Sequence, residues 1–127
     1  MINPTELSVR GLPQLDAALI YKLVRAEDWQ QALQSGYFAG SADDRRDAYI
    51  HLSSADQVAG TLQKYFSQTD ELLLLAVDPA LLGTALSYEP SRGGALFPHL
   101  YGPLPVHSAR AFAYRAHAQG DWSLTHA

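Results

Sequence analysis

The segment from Glu89 to Leu104 constrains the fold most, because it combines large apolar side chains with residues that break regular structure. Four glycines and prolines fall between positions 90 and 98, and a Gly-Pro pair follows Tyr101 directly. These residues exclude a long helix and disfavour a continuous strand. Phe97, Leu100 and Tyr101 nevertheless need an apolar partner surface. The pattern predicts a shaped loop, called the organising segment below, that is anchored on a core at a few points.

The length and composition indicate one compact domain. The chain has 127 residues, of which 47% are hydrophobic, and this suffices for a single core. We expect an irregular N-terminal lead-in over residues 1–17, one domain over residues 18–114 and a C-terminal tail over residues 115–127.

Charge and cysteine content exclude several classes of function. The net charge of −4 and the pI near 5.6 disfavour a nucleic-acid surface, which needs basic residues. The sequence has no cysteine, so disulfides, zinc–thiolate sites and thiol catalysis are excluded. No apolar run approaches the ~18 residues of a membrane helix, and the N-terminal residues lack the pattern of a secretory signal. We therefore expect a cytoplasmic protein with no membrane segment.

Hydrophobic periodicity predicts an α+β fold with two early helices and a mainly antiparallel sheet. Both helices carry end signals, since Gly36 follows the first and a Ser-x-x-Gln capping box starting at Ser54 precedes the second. The residues between them, from Tyr37 to Asp47, are predicted to be a polar loop. The predicted strands are Ala18–Val24, Tyr49–Leu52, Glu71–Val77, Leu86–Glu89 and Val106–Tyr114, and the first helix is Ala26–Ser35.

A first group of polar candidates lies at the end of the second strand. Alternation places Tyr49, His51 and Ser53 on one face, where they form a plausible ligand wall. Ser53 and Ser54 precede a helix, whose unpaired N–H groups favour an anion such as phosphate. The alternative for His51 is a hydrogen-bonded structural histidine.

A second group lies along the organising segment. Arg92 precedes two glycines and suits phosphate or carboxylate, because its planar guanidinium gives two parallel hydrogen bonds. Glu89 can accept from sugar hydroxyls or stabilise a developing cation, and the alternative is that it pairs with Arg92 across a turn. His99 is open to a structural and a functional interpretation equally, and Tyr101 is a stacking candidate. We expect both groups to meet in one cleft.

Other catalytic constellations find little support. The sequence contains no Gly-x-Ser-x-Gly elbow, no histidine spacing typical of a metal site, no Gly-x-Gly-x-x-Gly and no Walker loop. No metal is predicted. The charge cluster at positions 43–47 is either a solvated surface or a source of an arginine, Arg46, that reaches the cleft.

Two motifs carry a family resemblance. Ile50-His51-Leu52-Ser53 and Phe97-Pro98-His99-Leu100-Tyr101-Gly102, within a match from Leu19 to Tyr114, resemble the DUF952 family. That family is remotely similar to the ADP-ribosyltransferase superfamily, and most of all to its RNA 2′-phosphotransferase branch. The resemblance implies a split, mainly antiparallel sheet around an NAD cleft. That branch has an essential arginine shortly before its His-Leu-Ser, where Arg45 and Arg46 stand here at a different spacing.

The residues and the resemblance together predict a cleft for a ligand with phosphate and ribose, such as NAD or an ADP-ribosylated species. The alternatives are a non-catalytic module that binds a nucleotide or peptide, and dimerisation through the loop Pro90–Gly102. The oligomeric state is left open. The candidate catalytic residues are Glu89, His51 and His99, and the candidate ligand-binding residues are Tyr49, Ser53, Ser54, Arg92, Tyr101 and Arg46.

Overall fold

The computed structural model describes residues 15–66, 71–116 and 122–126. Within these ranges the chain forms a mixed α/β fold of three antiparallel sheets and three α-helices, which confirms the predicted class. The helices are α1 (Ala26–Ser35), α2 (Ala42–Asp47) and α3 (Val58–Phe66). The strands are β1 (Ile20–Val24), β2 (Tyr37–Phe38), β3 (Ile50–His51), β4 (Ser53–Ser54), β5 (Glu71–Val77), β6 (Leu86–Pro90), β7 (Leu96–Leu100), β8 (Leu104–Pro105), β9 (Ala109–Ala116) and β10 (Trp122–His126).

The largest sheet has the strand order β10-β9-β5-β1-β4, with β5 in the centre as its continuous apolar sequence predicts. Successive residues of β5 point to opposite faces, and both faces are covered. Leu75 and Val77 pack in one core with Trp29 of α1, whereas Leu74 packs in a second core with Val58 of α3. Both helices thus bury apolar residues against opposite faces of this sheet.

The organising segment departs from the prediction, because part of it is a strand. β7 is the middle strand of a second sheet, ordered β3-β7-β6. A short turn with Gly93 (φ 68°) and Gly94 (φ 80°) joins β6 to β7, and these positive φ angles suit glycine. Pro98 is tolerated because the β3–β7 ladder ends at the pair His51–His99. Beyond it, the Leu52 N–H donates to the Pro98 carbonyl (3.0 Å), and proline has no N–H to return a second bond.

The predicted polar loop from Tyr37 to Asp47 is also wrong, since it contains β2 and α2. A capping box starts α2. The Ser41 side chain accepts from the Asp44 N–H (3.3 Å), and the Asp44 carboxylate accepts from the Ser41 N–H (2.8 Å). Ala48, in the left-handed conformation (φ 67°), ends the helix and turns the chain into β3.

The two chain ends fall partly outside the described ranges. The lead-in expected at residues 1–17 lies mostly there. At the other end, Trp122–His126, part of the expected C-terminal tail, is β10 paired with β9. Strand β9 itself begins at Ala109, because Val106–Ser108 forms a 3-10 turn. In the ranges that the structure covers, none of the helices is long and apolar enough to cross a membrane.

Candidate functional site

The two groups of polar candidates meet at one cavity of about 280 Å³. His51 of the first group lies in β3 and His99 of the second lies in the neighbouring β7, where the two residues are paired, so the sheet itself brings the groups together. Six of the predicted site residues line the cavity, and three do not. Those in the lining are Arg46, Tyr49, His51, Ser53, Arg92 and His99; those outside it are Ser54, Glu89 and Tyr101.

Asp44 is the most connected side chain of the cavity wall. Only 2% of it is exposed, although it is an acid. Its Oδ1 lies 2.6 Å from His51 Nδ1 and accepts from the His51 backbone N–H (3.0 Å). Its Oδ2 lies 3.2 Å from Lys22 Nζ. A buried carboxylate needs such partners, so Asp44 ties α2 to β3 and to β1.

The charges around Asp44 stabilise its ionised form. Burial by itself would raise the pKa of Asp44, but the hydrogen bond from His51, the charge of Lys22 and two backbone N–H donors outweigh burial and hold the pKa well below its usual range. Burial lowers the pKa of Lys22, against the opposing charge of Asp44. Lys22 also donates to the His51 carbonyl (2.8 Å), so its ammonium is fully engaged in the wall.

His51 is held at both ring nitrogens. Besides the contact with Asp44, its Nε2 lies 2.9 Å from Asp47 Oδ2, on the last turn of α2. Arg46 on the same helix lies 3.1 Å from Asp47 and 3.0 Å from Asp43, with 68% of its side chain exposed. Arg46 thus lines the cavity as part of a solvated charge cluster.

Tyr49 lies at the centre of an aromatic group. Its ring stacks on His99 at a centroid distance of 4.0 Å and contacts the rings of His51 (4.6 Å) and Tyr101 (5.3 Å) at tilted angles. The contact with His99 covers one face of the Tyr49 ring. Burial, with the nearby carboxylates of Asp47, Glu89 and Asp44, raises the pKa of Tyr49, which keeps the phenol protonated.

His99 is buried and is backed by a carboxylate. Its Nδ1 lies 2.7 Å from Glu89 Oε1, and the Tyr101 hydroxyl donates to the same oxygen (2.6 Å). The Tyr101 bond, followed by the His99 bond, lowers the pKa of Glu89. The bond to Glu89 in turn raises the pKa of Tyr101 to about 12. Glu89 therefore contacts His99 and Tyr101, and the predicted alternative of a Glu89–Arg92 pair is not what the structure shows.

Arg92 lies over the Phe97 ring (5.0 Å), and its Nη2 is 3.4 Å from Thr61 Oγ1. The Thr61 hydroxyl is also 3.0 Å from Ser53 Oγ, so a guanidinium and two hydroxyl groups lie side by side. The Lys22 and Arg46 charges are paired with acids, but none of the described carboxylates pairs with Arg92. At this end of the cavity the N–H donors of Arg92 are therefore not neutralised by a described carboxylate.

Ser54 serves the helix start. Its backbone N–H donates to Gln57 Oε1 (2.9 Å), which is part of the predicted capping box, and its hydroxyl donates to Asp56 (2.6 Å). Because the Ser54 hydroxyl already donates its hydrogen to Asp56, and Ser54 is outside the cavity lining, Ser54 contributes no donor to the cavity. The Ser53 side chain points to the opposite face of β4 and brings its hydroxyl to the cavity.

Lys22, Asp44 and Thr61 were not singled out from the sequence, yet all three line the cavity. The sequence contains a signal for two of them, Lys22 and Asp44. A lysine in the apolar strand β1 requires a buried anion. A Ser-x-x-Asp pattern, Ser41 to Asp44, is a helix-start signature. In the part of the chain that the structure describes, no group of three or more histidine or acidic side chains is arranged to hold a metal ion.

Comparisons with known proteins identify similar solved structures and a family. The crystal structure of CC0527 from Caulobacter crescentus, a structural genomics target, is 44% identical, with a TM-score of 0.77 over 82% of this chain and 92% of that chain. The solution NMR structure of CC0527 gives 44% identity and a TM-score of 0.73, over 82% of this chain and 90% of that one. The comparison with curated proteins gave no match. The sequence profile of DUF952, a family described as proteins of unknown function, matches residues 23–111, so the chain belongs to the DUF952 family.

Proposed function

We propose that the cavity binds a ligand that carries phosphate and ribose, such as NAD or an ADP-ribosylated molecule. The observation that supports this most is Arg92. Its guanidinium lines the cavity beside the Ser53 and Thr61 hydroxyls, and no described carboxylate neutralises it. An arginine with adjacent hydroxyl donors is a typical site for a phosphate group.

The size of the cavity limits what it can enclose. Its volume of about 280 Å³ lies just below the range of roughly 300–1,000 Å³ for small-molecule pockets. A ribose phosphate fits this volume better than a whole dinucleotide does. The rest of a larger ligand would extend past exposed Ser91 into solvent.

The distribution of charge along the cavity predicts how the ligand is oriented in it. The acids that line the cavity, Asp43, Asp44 and Asp47, all belong to α2, and two of them, Asp44 and Asp47, contact His51. Arg92 lies instead beside the Thr61 hydroxyl of α3, which contacts the Ser53 hydroxyl of β4. The phosphate therefore belongs near Arg92, and sugar hydroxyls belong toward the histidines.

More specifically, we propose an ADP-ribosyltransferase-like fold and an NAD-dependent activity. The resemblance of the His-Leu-Ser motif and the mainly antiparallel sheets support them. Binding and turnover are separable. Chromatography measures nicotinamide release from NAD, and such release supports an enzyme. Saturable ADP-ribose binding without nicotinamide release identifies a binding module.

Calorimetric titration with inorganic phosphate, ADP-ribose and NAD tests the binding site. Loss of charge-assisted hydrogen bonds in Arg92→Gln should weaken ADP-ribose binding by about 10- to 100-fold. Arg45→Gln is the matched control, because Arg45 is exposed on α2 and lies outside the cavity lining. Equal affinities in the two variants, or no saturable binding of any of the three compounds, would overturn the proposal.

Self-association is a second candidate, favoured by apolar exposure on the β6–β7 hairpin. Tyr88 is 51% exposed and Leu96 is 57% exposed, and Tyr101 follows β7 at 48%. Such a patch suits a protein interface. Light scattering of the wild type and of Leu96→Ser tests it: a dimer that the substitution dissociates supports this candidate, and a wild-type monomer removes it.

A further inference from the structure

His99 has one ring nitrogen that the fold satisfies and one that it leaves without a partner. Only 3% of the residue is exposed, and its Nδ1 lies 2.7 Å from Glu89 Oε1. Its Nε2 is buried and, among the described residues, has no hydrogen-bond partner. Native proteins rarely leave a buried polar atom in this state, so the exception calls for an explanation.

The partner of Nδ1 decides what Nε2 can do. A carboxylate only accepts hydrogen bonds, so Nδ1 carries the hydrogen in the bond to Glu89. The Tyr101 hydroxyl donates to the same oxygen and helps to keep Glu89 ionised, as its lowered pKa indicates. In this tautomer the Nε2 lone pair is available, and a carboxylate behind the ring strengthens it as an acceptor.

The position of the ring relates this lone pair to the cavity. His99 lines the cavity while Glu89 does not, and Glu89 belongs to the edge strand β6, so the Nδ1 edge of the ring is turned toward β6 and away from β3. The stacked Tyr49 ring covers one face and holds the imidazole in its plane. Both contacts fix the direction in which Nε2 points, as a specific acceptor requires.

We propose that His99 Nε2 accepts a hydrogen bond from a hydroxyl group of the ligand, with Glu89 and Tyr101 as positioning residues. The ligand class is then a sugar phosphate, whose phosphate contacts Arg92 and whose hydroxyl contacts His99. This inference rests on the proposed function, since it uses the same cavity. It assigns to Glu89 a role through His99 rather than direct contact with the ligand.

The experiment combines affinity with nitrogen NMR of the histidine rings. Inorganic phosphate and ribose 5-phosphate are titrated into the wild type, His99→Phe and His107→Phe. The phenylalanine keeps a ring against Tyr49 without an acceptor, and the control His107 is exposed and outside this cavity. We expect the preference for ribose 5-phosphate over phosphate to fall about three- to tenfold in His99→Phe only.

The NMR signals of the wild type provide a readout that does not depend on whether His99→Phe folds. Unliganded His99 should show a hydrogen on Nδ1 and none on Nε2, and Glu89→Gln should shift both signals. Ribose 5-phosphate should move the Nε2 signal. A hydrogen found on Nε2, or ribose 5-phosphate binding that leaves Nε2 unmoved, overturns the role of His99 while phosphate binding at Arg92 stands. No binding of either compound overturns both proposals.

Discussion

Replacing Asp44 by asparagine should destabilise the fold strongly. The carboxylate is 2% exposed and is the anionic partner of Lys22, whose side chain is 9% exposed. It also accepts from backbone N–H groups of Ser41 and His51. An asparagine has nearly the same shape, but it has one acceptor oxygen and an amide group that would face donors. Breaking a buried pair on one side costs about 3–5 kcal/mol, because an unpaired charge remains.

Urea unfolding at neutral pH measures this loss, and a thermal scan should show Tm lowered by roughly 10 °C or more. Asp43→Asn is the matched control, since Asp43 lies on the same helix but is 56% exposed and pairs with an exposed arginine. Solvent screens that pair, so little change is expected. If Asp44→Asn proves as mild as Asp43→Asn, the assignment of Asp44 as the link between α2, β1 and β3 is wrong.

A companion substitution separates the charge from the packing. Lys22→Met removes the cation and keeps most of the apolar stem. If the pair is the cause, the double variant Lys22→Met with Asp44→Asn should be less destabilised than the sum of the single variants, with a coupling of about 0.5–3 kcal/mol. Strict additivity would show that Asp44 acts through the His51 ring and its backbone partners and not through Lys22.

Three further outcomes are expected. Because folding depresses the pKa of Asp44, its stabilisation is present above the unfolded-state pKa of about 3.9 and is lost as the pH falls below it. The urea-measured gap between wild type and Asp44→Asn should therefore shrink below about pH 4. Gly60→Ala should stabilise α3 by up to about 1 kcal/mol yet weaken ADP-ribose binding in calorimetry, since the new Cβ would lie 3.2 Å from Arg92 Nη2. Tyr101→Phe should raise the pKa of Glu89 toward its ordinary value in a carboxyl NMR titration, because the Tyr101 bond is the main cause of its depression.

The parts of the fold that the sequence predicts well are those fixed by local pattern. Helix α1 has its predicted bounds, since Trp29 and Ala32 give the apolar spacing and Gly36 ends the helix with φ 90°. The central strand β5 follows from its apolar run, which has to be buried on both faces. These signals are contained within about ten residues, and no distant partner is needed to interpret them.

The misjudged elements depend on partners far along the chain. Pro98 argues against a strand when the segment is considered alone, but its missing N–H falls where the ladder to β3 has already ended. Helix α2 has a charged sequence without an apolar stripe. Its capping box is a local start signal, but its attachment to the core comes from Asp44, which is bound by Lys22, 22 positions earlier. In both segments a distant partner supplies what the local pattern does not show.

The cleft itself was predictable, but the division of roles within it was not. Alternation in β3 places His51 on the cavity side, and the organising segment supplies Arg92 and His99. Sequence alone does not show which of these side chains the fold already satisfies. That depends on the positions of the acids of α2 and of Glu89.

The distinction between satisfied and unsatisfied groups redistributes the expected roles. His51 has a carboxylate at each ring nitrogen, 2.6 Å and 2.9 Å away, so binding a sugar hydroxyl would require it to give up Asp44 or Asp47. His99 has an unused Nε2, and Arg92 has an unneutralised charge. A ligand can satisfy these two groups without breaking any bond of the wall. His51 therefore belongs to the structure that shapes the cavity, and we assign the hydroxyl and the phosphate of the proposed ligand to His99 and Arg92.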